Sequence, residues 1–407
     1  MKIISGGITA PRGFQAASAE ARIKYEGRKD MAMIMSIAPC RAAGVYTTNK
    51  VKAAPVLWDR EITDNSPNVK AVVINSGIAN ACTGQEGMDI CRGIAEAAGS
   101  ALCAMPSEIL VCSTGVIGMQ IPLERMKAGI GALVPALSDS EEAGLEAARA
   151  IMTTDTKPKQ IAVELSLSGR KVTIGAMCKG SGMIAPNMCT MLAFVTTDAA
   201  MEKTLLQKAL RDVVEDTFNM VSVDGDTSTN DTLLLLANGE ADNPEITEEN
   251  EEYHVFCNAL HYICEQLARQ IAADGEGATK LLTVKVKNAA SREAARTMAR
   301  SIARSSLVKA AMYGSDANWG RILCAMGYAG VPFDPEKAEV GIESEAGSLL
   351  LYNGAPVPDI DEDYATKILK AEEVIVNADC HDGAAEATAW GCDLTYDYVK
   401  INADYRS

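Results

Sequence analysis

The chain has few of the residues on which several common enzyme chemistries depend. Its 407 residues include only three histidines, and no two of its twelve cysteines have CxxC spacing. Zinc sites are built from Cys and His at such spacings, so the sequence argues against a metal site and calls for no cofactor. Scattered cysteines such as Cys91, Cys103, Cys257 and Cys264 are predicted to pack as small core residues.

Positive charge and long apolar segments are also scarce. Lys and Arg number 38 against 54 Asp and Glu, so the formal net charge is −16. Because phosphate binding needs clustered Lys and Arg, we expect neither a nucleic-acid nor a membrane partner. No run of about 18 apolar residues occurs, and the opening MKIISGGITAPRGF does not read as a signal peptide. We therefore expect a cytoplasmic protein that acts on small molecules.

Apolar residues are abundant and are arranged as alternating strands and helices. They make up 48% of the chain, which is enough for a large core in two or more lobes. Apolar runs at 72–74 and 109–111 each lead into a predicted turn, at 75–77 and 113–115. The segment 163–176 predicts a hairpin that turns at Ser168-Gly169. The pattern is typical of a layered α/β protein.

The stretch KGSGMIAPNMCTMLAFVTTD, residues 179–198, carries a glycine-rich loop into a predicted strand over 191–195. Asp198 is then predicted to cap a helix whose buried face contains Leu206, Leu210 and Val213. The loop ends at Thr190. A threonine at the start of a strand is usually structural, because its β-branched side chain suits a sheet.

The surroundings of Thr190 favour a second interpretation, that of an amino-terminal nucleophile. In such enzymes the hydroxyl attacks the preceding carbonyl, an acyl shift gives an ester, and water then cuts the chain. The new α-amine has a reference pKa of about 7.7–8.0, so it can accept the hydroxyl proton without a histidine. Hydrogen-bond donors could come from Thr114-Gly115, whose alternative role is that of an ordinary turn.

Six segments along the chain form a recognisable set. They are NSGIANACTG (75–84), STGVIG (113–118), KGSGMIAPNMCTMLAFVTTDA (179–199), VDGDTSTNDT (223–232), YGSDANWGRI (313–322) and ATAWGCDLTYDYVKINADYRS (387–407). Together they resemble one family, the bifunctional glutamate N-acetyltransferase and amino-acid acetyltransferase of arginine biosynthesis, also called ornithine acetyltransferase. The resemblance covers essentially the whole chain. It implies a layered α-β-β-α sandwich of the ornithine acetyltransferase and aminopeptidase class, with two lobes.

The resemblance implies that the chain cuts itself between Cys189 and Thr190. Residues 1–189 would form an alpha chain and 190–407 a beta chain, and the family suggests two of each. Family members more often have alanine before the threonine. Because a thiol is itself a nucleophile, Cys189 is a competing candidate for the nucleophile.

The implied reaction is a two-step acetyl exchange. Thr190 takes the acetyl group from N2-acetylornithine and releases ornithine, and glutamate then removes it as N-acetylglutamate. Thr114 and Gly115 would form the oxyanion hole. Whether acetyl-CoA is also a donor is left open. Two other classes are considered: an amino-terminal-nucleophile hydrolase or aminopeptidase that uses water, and a binding protein without activity.

The resemblance also implies a set of substrate contacts. Lys179 would favour an anionic group, and Glu276 would pair with the ornithine ammonium, although a solvated loop carboxylate is the alternative for Glu276. Thr154 is considered in place of Thr153. The full set of implied contacts is Thr153, Lys179, Thr190, Glu276, Asn402 and Ser407.

Overall fold

The computed structural model describes residues 1–185 and 191–404, which form two compact units. The first unit contains residues 1–180, 191–215 and 227–267, and the second contains 181–185, 216–226 and 268–404. Each unit has its own β-sheet with helices packed against it. The predicted α/β class with two lobes is confirmed.

Strands and helices are numbered here along the chain. The described residues form fifteen strands: β1 Lys2–Ile4, β2 Phe14–Ala19, β3 Met31–Tyr46, β4 Val69–Ile78, β5 Ile109–Val116, β6 Lys159–Leu167, β7 Arg170–Lys179, β8 Leu192–Thr197, β9 Val221–Ser222, β10 Thr232–Ala237, β11 Leu281–Ala289, β12 Glu339–Ser344, β13 Gly347–Asn353, β14 Glu373–Asp379 and β15 Ala385–Cys392. They also form eleven α-helices: α1 Ala54–Asn65, α2 Gly84–Leu102, α3 Leu123–Leu133, α4 Glu141–Ala150, α5 Lys203–Glu215, α6 Glu251–Ala273, α7 Arg292–Arg304, α8 Ser306–Gly314, α9 Trp319–Gly327, α10 Glu362–Leu369 and α11 Tyr396–Ala403.

The sheet of the first unit has the strand order β1-β6-β7-β8-β10-β3-β4-β5, with β2 also paired to β3. The pairs β8–β10 and β4–β5 are parallel, and the others are antiparallel. Val72 and Ile74 of β4 belong to one core cluster, whereas Ala71 and Val73 belong to another. Both faces of β4 are thus buried, which explains its continuous apolar run.

Helix α1 covers the exposed edge of this sheet at β5. Its Trp58 Nε1 donates to the Ile109 carbonyl at 3.0 Å, and its Asp59 Oδ1 accepts from the Val111 N–H at 2.7 Å. Asp59 is fully buried, and burial raises its pKa. Backbone groups that an edge strand would leave unpaired are therefore bonded to the helix.

The predicted hairpin is confirmed by β6 and β7, which pair up to Leu167 and Arg170. The turn residues Ser168 and Gly169 have φ angles of 49° and 75°, as a two-residue type I′ turn requires. The strand predicted over 191–195 is observed as β8, one residue later at its start and two at its end.

The predicted role of Asp198 as a helix cap is wrong. Helix α5 begins at Lys203, with the predicted face buried, while the Asp198 carboxylate accepts from the Thr173 N–H at 2.7 Å and the Arg12 N–H at 3.1 Å. Asp198 follows β8 directly, so its side chain bonds to neighbouring segments of the sheet instead of to a helix. The carboxylate ties three distant parts of the first unit together.

The sheet of the second unit has the order β13-β12-β14-β11-β15-β9. Helix α7 packs on β11 and β15 with a face that includes Ala295, Met298 and Ile302. Alternating Leu282, Val284 and Val286 lie on β11 and are buried.

The cysteine prediction is confirmed for two of the four residues and wrong for one. Cys91 and Cys264 are buried and Cys257 is half-buried, but Cys103 is exposed. Cys103 terminates α2 in the left-handed conformation, with φ of 54°, and this places it at the surface. Within 1–185 and 191–404, every helix is too short or too polar to cross a bilayer.

Candidate active site

Thr114 and Gly115 continue strand β5 and lie beside Ser76 and Gly77 of β4. Gly115 has a φ of 130°, and a β-carbon there would collide with the Gly77 backbone. The two strands approach so closely that only glycine fits, and their register shifts after Gly77. The predicted turns at 75–77 and 113–115 are therefore wrong, because both segments are irregular strand ends.

Asn230, to which the sequence analysis assigned no role, joins these two strand ends. Its Nδ2 donates to the Ala79 carbonyl at 2.5 Å and to the Ser113 carbonyl at 2.8 Å. The Thr229 hydroxyl donates to Asn230 Oδ1 at 2.7 Å, which sets the orientation of the amide. Because the Ser113 carbonyl and the Thr114 N–H belong to one planar peptide, Asn230 fixes the direction of that N–H.

A second buried pair supports the same corner. The Ser113 hydroxyl donates to Asn75 Oδ1 at 2.7 Å, and Asn75 Nδ2 donates to the Ile78 carbonyl at 2.9 Å. Both side chains are buried, so these bonds form away from competing water. The backbone around Thr114 is held rigidly, as an oxyanion hole requires.

Asp155, also missed from the sequence, brings Thr153 and Lys179 together. Its Oδ2 accepts from the Thr153 N–H at 3.1 Å and lies 4.0 Å from Lys179 Nζ. Its Oδ1 accepts from the Gly180 N–H at 2.7 Å and from Lys159 Nζ at 2.8 Å. One carboxylate therefore fixes the start of the glycine-rich loop and two predicted substrate contacts.

The charge of this cluster is uneven. Burial acts to raise the pKa of Asp155, but the charges of Lys179 and Lys159 and the bonds from Lys159 and Gly180 outweigh it and lower the pKa to about 2. Two lysines thus lie beside one ionised carboxylate, and Lys179 is buried, with 7% of its surface exposed. The position suits an anionic ligand.

The loop after Lys179 is held by backbone bonds at residues 183 and 184. The Asp224 carboxylate accepts from the Met183 N–H at 2.6 Å and from the Ile184 N–H at 2.8 Å. The Val223 N–H also donates to the Ile184 carbonyl at 2.6 Å. Asp224 and Val223 lie in the VDGDTSTNDT segment, so this motif fixes the loop as well as supplying Asn230.

Glu276 and Asn402 form a direct pair in the second unit. Asn402 Nδ2 donates to Glu276 Oε2 at 2.8 Å, and the Glu276 N–H donates to the Ser181 carbonyl at 2.9 Å. A β-carbon at Gly182 would collide with the Glu276 carboxylate. Glu276 is buried, so the alternative of a solvated loop carboxylate is wrong.

The remaining predicted residues are Cys189, Thr190 and Ser407, which lie outside the described residues. A cavity of about 470 Å³ in the first unit is lined by Thr153 and not by Thr154. In the described part of the chain, His, Cys, Asp and Glu side chains form no group of three or more that could hold a metal ion.

Comparison with known proteins identifies the family to which the chain is similar. Residues 15–407 match the ArgJ family. The arginine biosynthesis bifunctional protein ArgJ of Symbiobacterium thermophilum is 53% identical over 409 residues, with 100% of both chains covered. The protein of that name from Bacillus subtilis is 45% identical, over 99% of this chain and 97% of the relative.

A solved structure of ornithine acetyltransferase complexed with ornithine, from Mycobacterium tuberculosis, is 42% identical. It covers 46% of this chain and 96% of its own, with a TM-score of 0.42.

The chain belongs to the ArgJ family. The predicted family is confirmed, as is the predicted enzyme class, an acetyltransferase of arginine biosynthesis. The alternative of a binding protein without activity is wrong.

Proposed function

We propose that this enzyme transfers an acetyl group from N2-acetylornithine to glutamate through an acetyl ester on Thr190. The observation that supports this most is the rigid corner at Thr114 and Gly115, whose backbone Asn230 holds by bonds at 2.5 and 2.8 Å. A preorganised donor pair is what a tetrahedral acyl intermediate needs. No titrating histidine is required, because the α-amine of Thr190 serves as the base.

In the first half-reaction the Thr190 hydroxyl attacks the acetyl carbonyl and gives its proton to the α-amine. The oxyanion accepts hydrogen bonds from the Thr114 hydroxyl and the Gly115 N–H. Collapse of the intermediate breaks the amide bond, and the departing nitrogen takes the proton as ornithine leaves. In the second half the glutamate amine attacks the ester, and the Thr190 hydroxyl is restored.

The proposed substrate contacts have distinct tasks. Lys179 attracts the substrate carboxylate, since the charge of Asp155 is shared with Lys159. Glu276, oriented by Asn402, pairs with the side-chain ammonium of ornithine. Thr153 and Ser407 complete the binding set.

Maturation and assembly are part of the proposal. The chain cuts itself between Cys189 and Thr190 into an alpha chain, 1–189, and a beta chain, 190–407, and two of each associate in the cytoplasm. Acetyl-CoA serves as a second acetyl donor, as the word bifunctional in the names of the relatives suggests.

The reaction can be tested in its two halves. N-acetylornithine alone should add one acetyl group to the fragment that begins with Thr190, and the ornithine released should equal the enzyme present. Adding glutamate should then yield N-acetylglutamate and restore turnover, with ping-pong kinetics. Intact-mass spectrometry and an ornithine assay measure the two steps.

Two results would contradict the proposal. Free acetate formed without glutamate as fast as N-acetylglutamate forms with it would identify a hydrolase that uses water. Failure of N-acetylornithine to acetylate the enzyme would remove the assignment altogether. Repeating the second half with acetyl-CoA in place of N-acetylornithine tests the second donor separately.

A further inference from the structure

The cavity beside Thr153 is rich in positive charge. Three cationic side chains line it, Arg28, Lys29 and Arg149, against the carboxylates of Glu146 and Asp155. Asp155 is already bonded to the buried Lys159, which does not line the cavity. On a chain whose net charge is −16, this excess of cations marks a place where an anion would be attracted.

The three cations are not equivalent. Lys29 Nζ lies 2.8 Å from one oxygen of Glu146, and Arg149 is hydrogen-bonded to the other. These bonds lower the pKa of Glu146, so its negative charge is shared between the two. Arg28, in contrast, has no carboxylate within 4.0 Å among residues 1–185 and 191–404. It is the cation left to bind a ligand.

Arg28 is fixed directly beside Thr153. Its Nη2 donates to the Met152 carbonyl at 2.6 Å, and its guanidinium lies 5.1 Å from the centre of the Tyr25 ring. The carbonyl of Met152 and the N–H of Thr153 belong to one peptide, and that N–H donates to Asp155. Arg28 therefore keeps a fixed position with further N–H donors for a carboxylate.

The proposed function creates a need for such a cation. The side chain of the acetyl donor, N2-acetylornithine, ends in an ammonium group, whereas the side chain of the acetyl acceptor, glutamate, ends in a carboxylate. Glu276 suits the ammonium and repels the carboxylate, so a second group must hold the acceptor. We infer that Arg28 binds the side-chain carboxylate of glutamate in this cavity and thereby determines which acceptor the enzyme uses. This inference rests on the proposed function.

The test compares glutamate with glutamine, which has the same shape and no side-chain charge, as acceptors for enzyme already acetylated by N-acetylornithine. Arg28→Gln keeps an amide donor for the Met152 carbonyl but loses the charge. We expect kcat/KM for glutamate to fall about 10- to 100-fold, as when a charged hydrogen bond is lost, and the preference over glutamine to fall with it. The kcat/KM for N-acetylornithine should stay unchanged.

Two further variants make the result specific. Arg28→Lys should keep part of the preference for glutamate, because lysine carries the positive charge but lacks the paired N–H donors of the guanidinium. Arg92→Gln removes an arginine of α2 that lies 3.5 Å from Asp89 and outside the cavity, and it should behave as the wild type.

Each contrary result has a separate meaning. An unchanged preference for glutamate in Arg28→Gln overturns the inference, and so does an equal loss with N-acetylornithine, which would make Arg28 a support for Thr153 only. If the wild type itself forms no acetyl-enzyme, the proposed function fails and the inference with it.

Discussion

At the scale of single residues, two ion pairs of the same length lie in opposite surroundings. Asp155 and Lys159 are 2.8 Å apart with side chains at most 2% exposed, whereas Glu124 and Lys127 are also 2.8 Å apart with side chains 84% and 43% exposed. An exposed pair gains little because water screens it. Removal of one partner of a buried pair leaves an uncompensated charge in the interior.

Asp155→Asn should therefore destabilise the protein at pH 7, by about 3–5 kcal/mol in the free energy of unfolding. The matched variant Glu124→Gln should change it by less than about 1 kcal/mol. Urea unfolding of both variants measures the difference. Equal effects would show that the burial of Asp155 does not govern its contribution.

The pH dependence of this effect has a definite sign. The pKa of Asp155 is lowered from 3.8 to about 2, so its ionisation stabilises the folded state fully above pH 3.8, and this is lost as the pH falls towards 2. This lowering of the Asp155 pKa corresponds to about 2 kcal/mol in the free energy of unfolding. The gap in stability between wild type and Asp155→Asn should thus narrow between pH 4 and pH 2.

The sequence did not reveal the roles of Asp155 and Asn230 because their hydrogen-bond partners lie far away along the chain. Asp155 acts on Gly180, 25 positions away, and Asn230 acts on Ser113, 117 positions away. Neither carries a local signature, since an Asp or Asn before a strand is ordinary turn chemistry. Glu276, in contrast, was given a role by the family resemblance, and only its burial required the structure.

At the scale of elements, β10 has an asparagine near each end with a different task. Asn230 lies two residues before β10 and bridges the ends of β4 and β5, whereas Asn238 follows β10 and donates to the Arg12 carbonyl at 2.9 Å. Both amides act as donors to carbonyl groups. Only the first holds the proposed oxyanion corner.

Asn230→Asp should lower kcat about 10²- to 10³-fold, the cost of losing one oxyanion donor. A carboxylate of the same shape cannot donate to the carbonyls of Ala79 and Ser113, so the strand end that carries the proposed oxyanion donors, the Thr114 hydroxyl and the Gly115 N–H, loses its fixed position. Asn238→Asp, the matched control, should keep the wild-type kcat. Steady-state kinetics with circular dichroism as a check of folding decide the matter.

A loss of kcat in both variants would point to a general effect on β10. A loss of stability in Asn230→Asp without a loss of kcat would make Asn230 a structural residue only.

The elements also show how far local patterns predict this fold. The hairpin at Ser168-Gly169 was predictable because its turn chemistry is local. The ends of β4 and β5 were not, because Asn75-Ser76-Gly77 reads as a turn in isolation. The neighbouring parallel strand β5, which pairs with all three residues, keeps them in the sheet.

At the scale of the whole molecule, the six motifs are distributed over both compact units, in the order that the family resemblance implies. VDGDTSTNDT alone supplies Asp224 to the loop of the second unit and Asn230 to the sheet of the first. The contacts of a motif whose residues bond within two different units cannot be predicted from the sequence of that motif alone. This is why the resemblance predicted the enzyme class while the positioning contacts required the structure.

Self-cleavage is the prediction that concerns the whole chain. The wild type should appear as two fragments with Thr190 at the new amino terminus, because its hydroxyl attacks the preceding carbonyl. Thr190→Ala should give a single full-length mass and no turnover, and Thr190→Ser, which keeps a hydroxyl, should retain part of both activities. Cys189→Ala separates the two candidate nucleophiles: cleavage that persists leaves Thr190 as the nucleophile, whereas cleavage that stops assigns the role to the thiol. Intact-mass measurement after long incubation is applied to the wild type and to the three variants. An uncut wild type would remove self-cleavage from the proposed function.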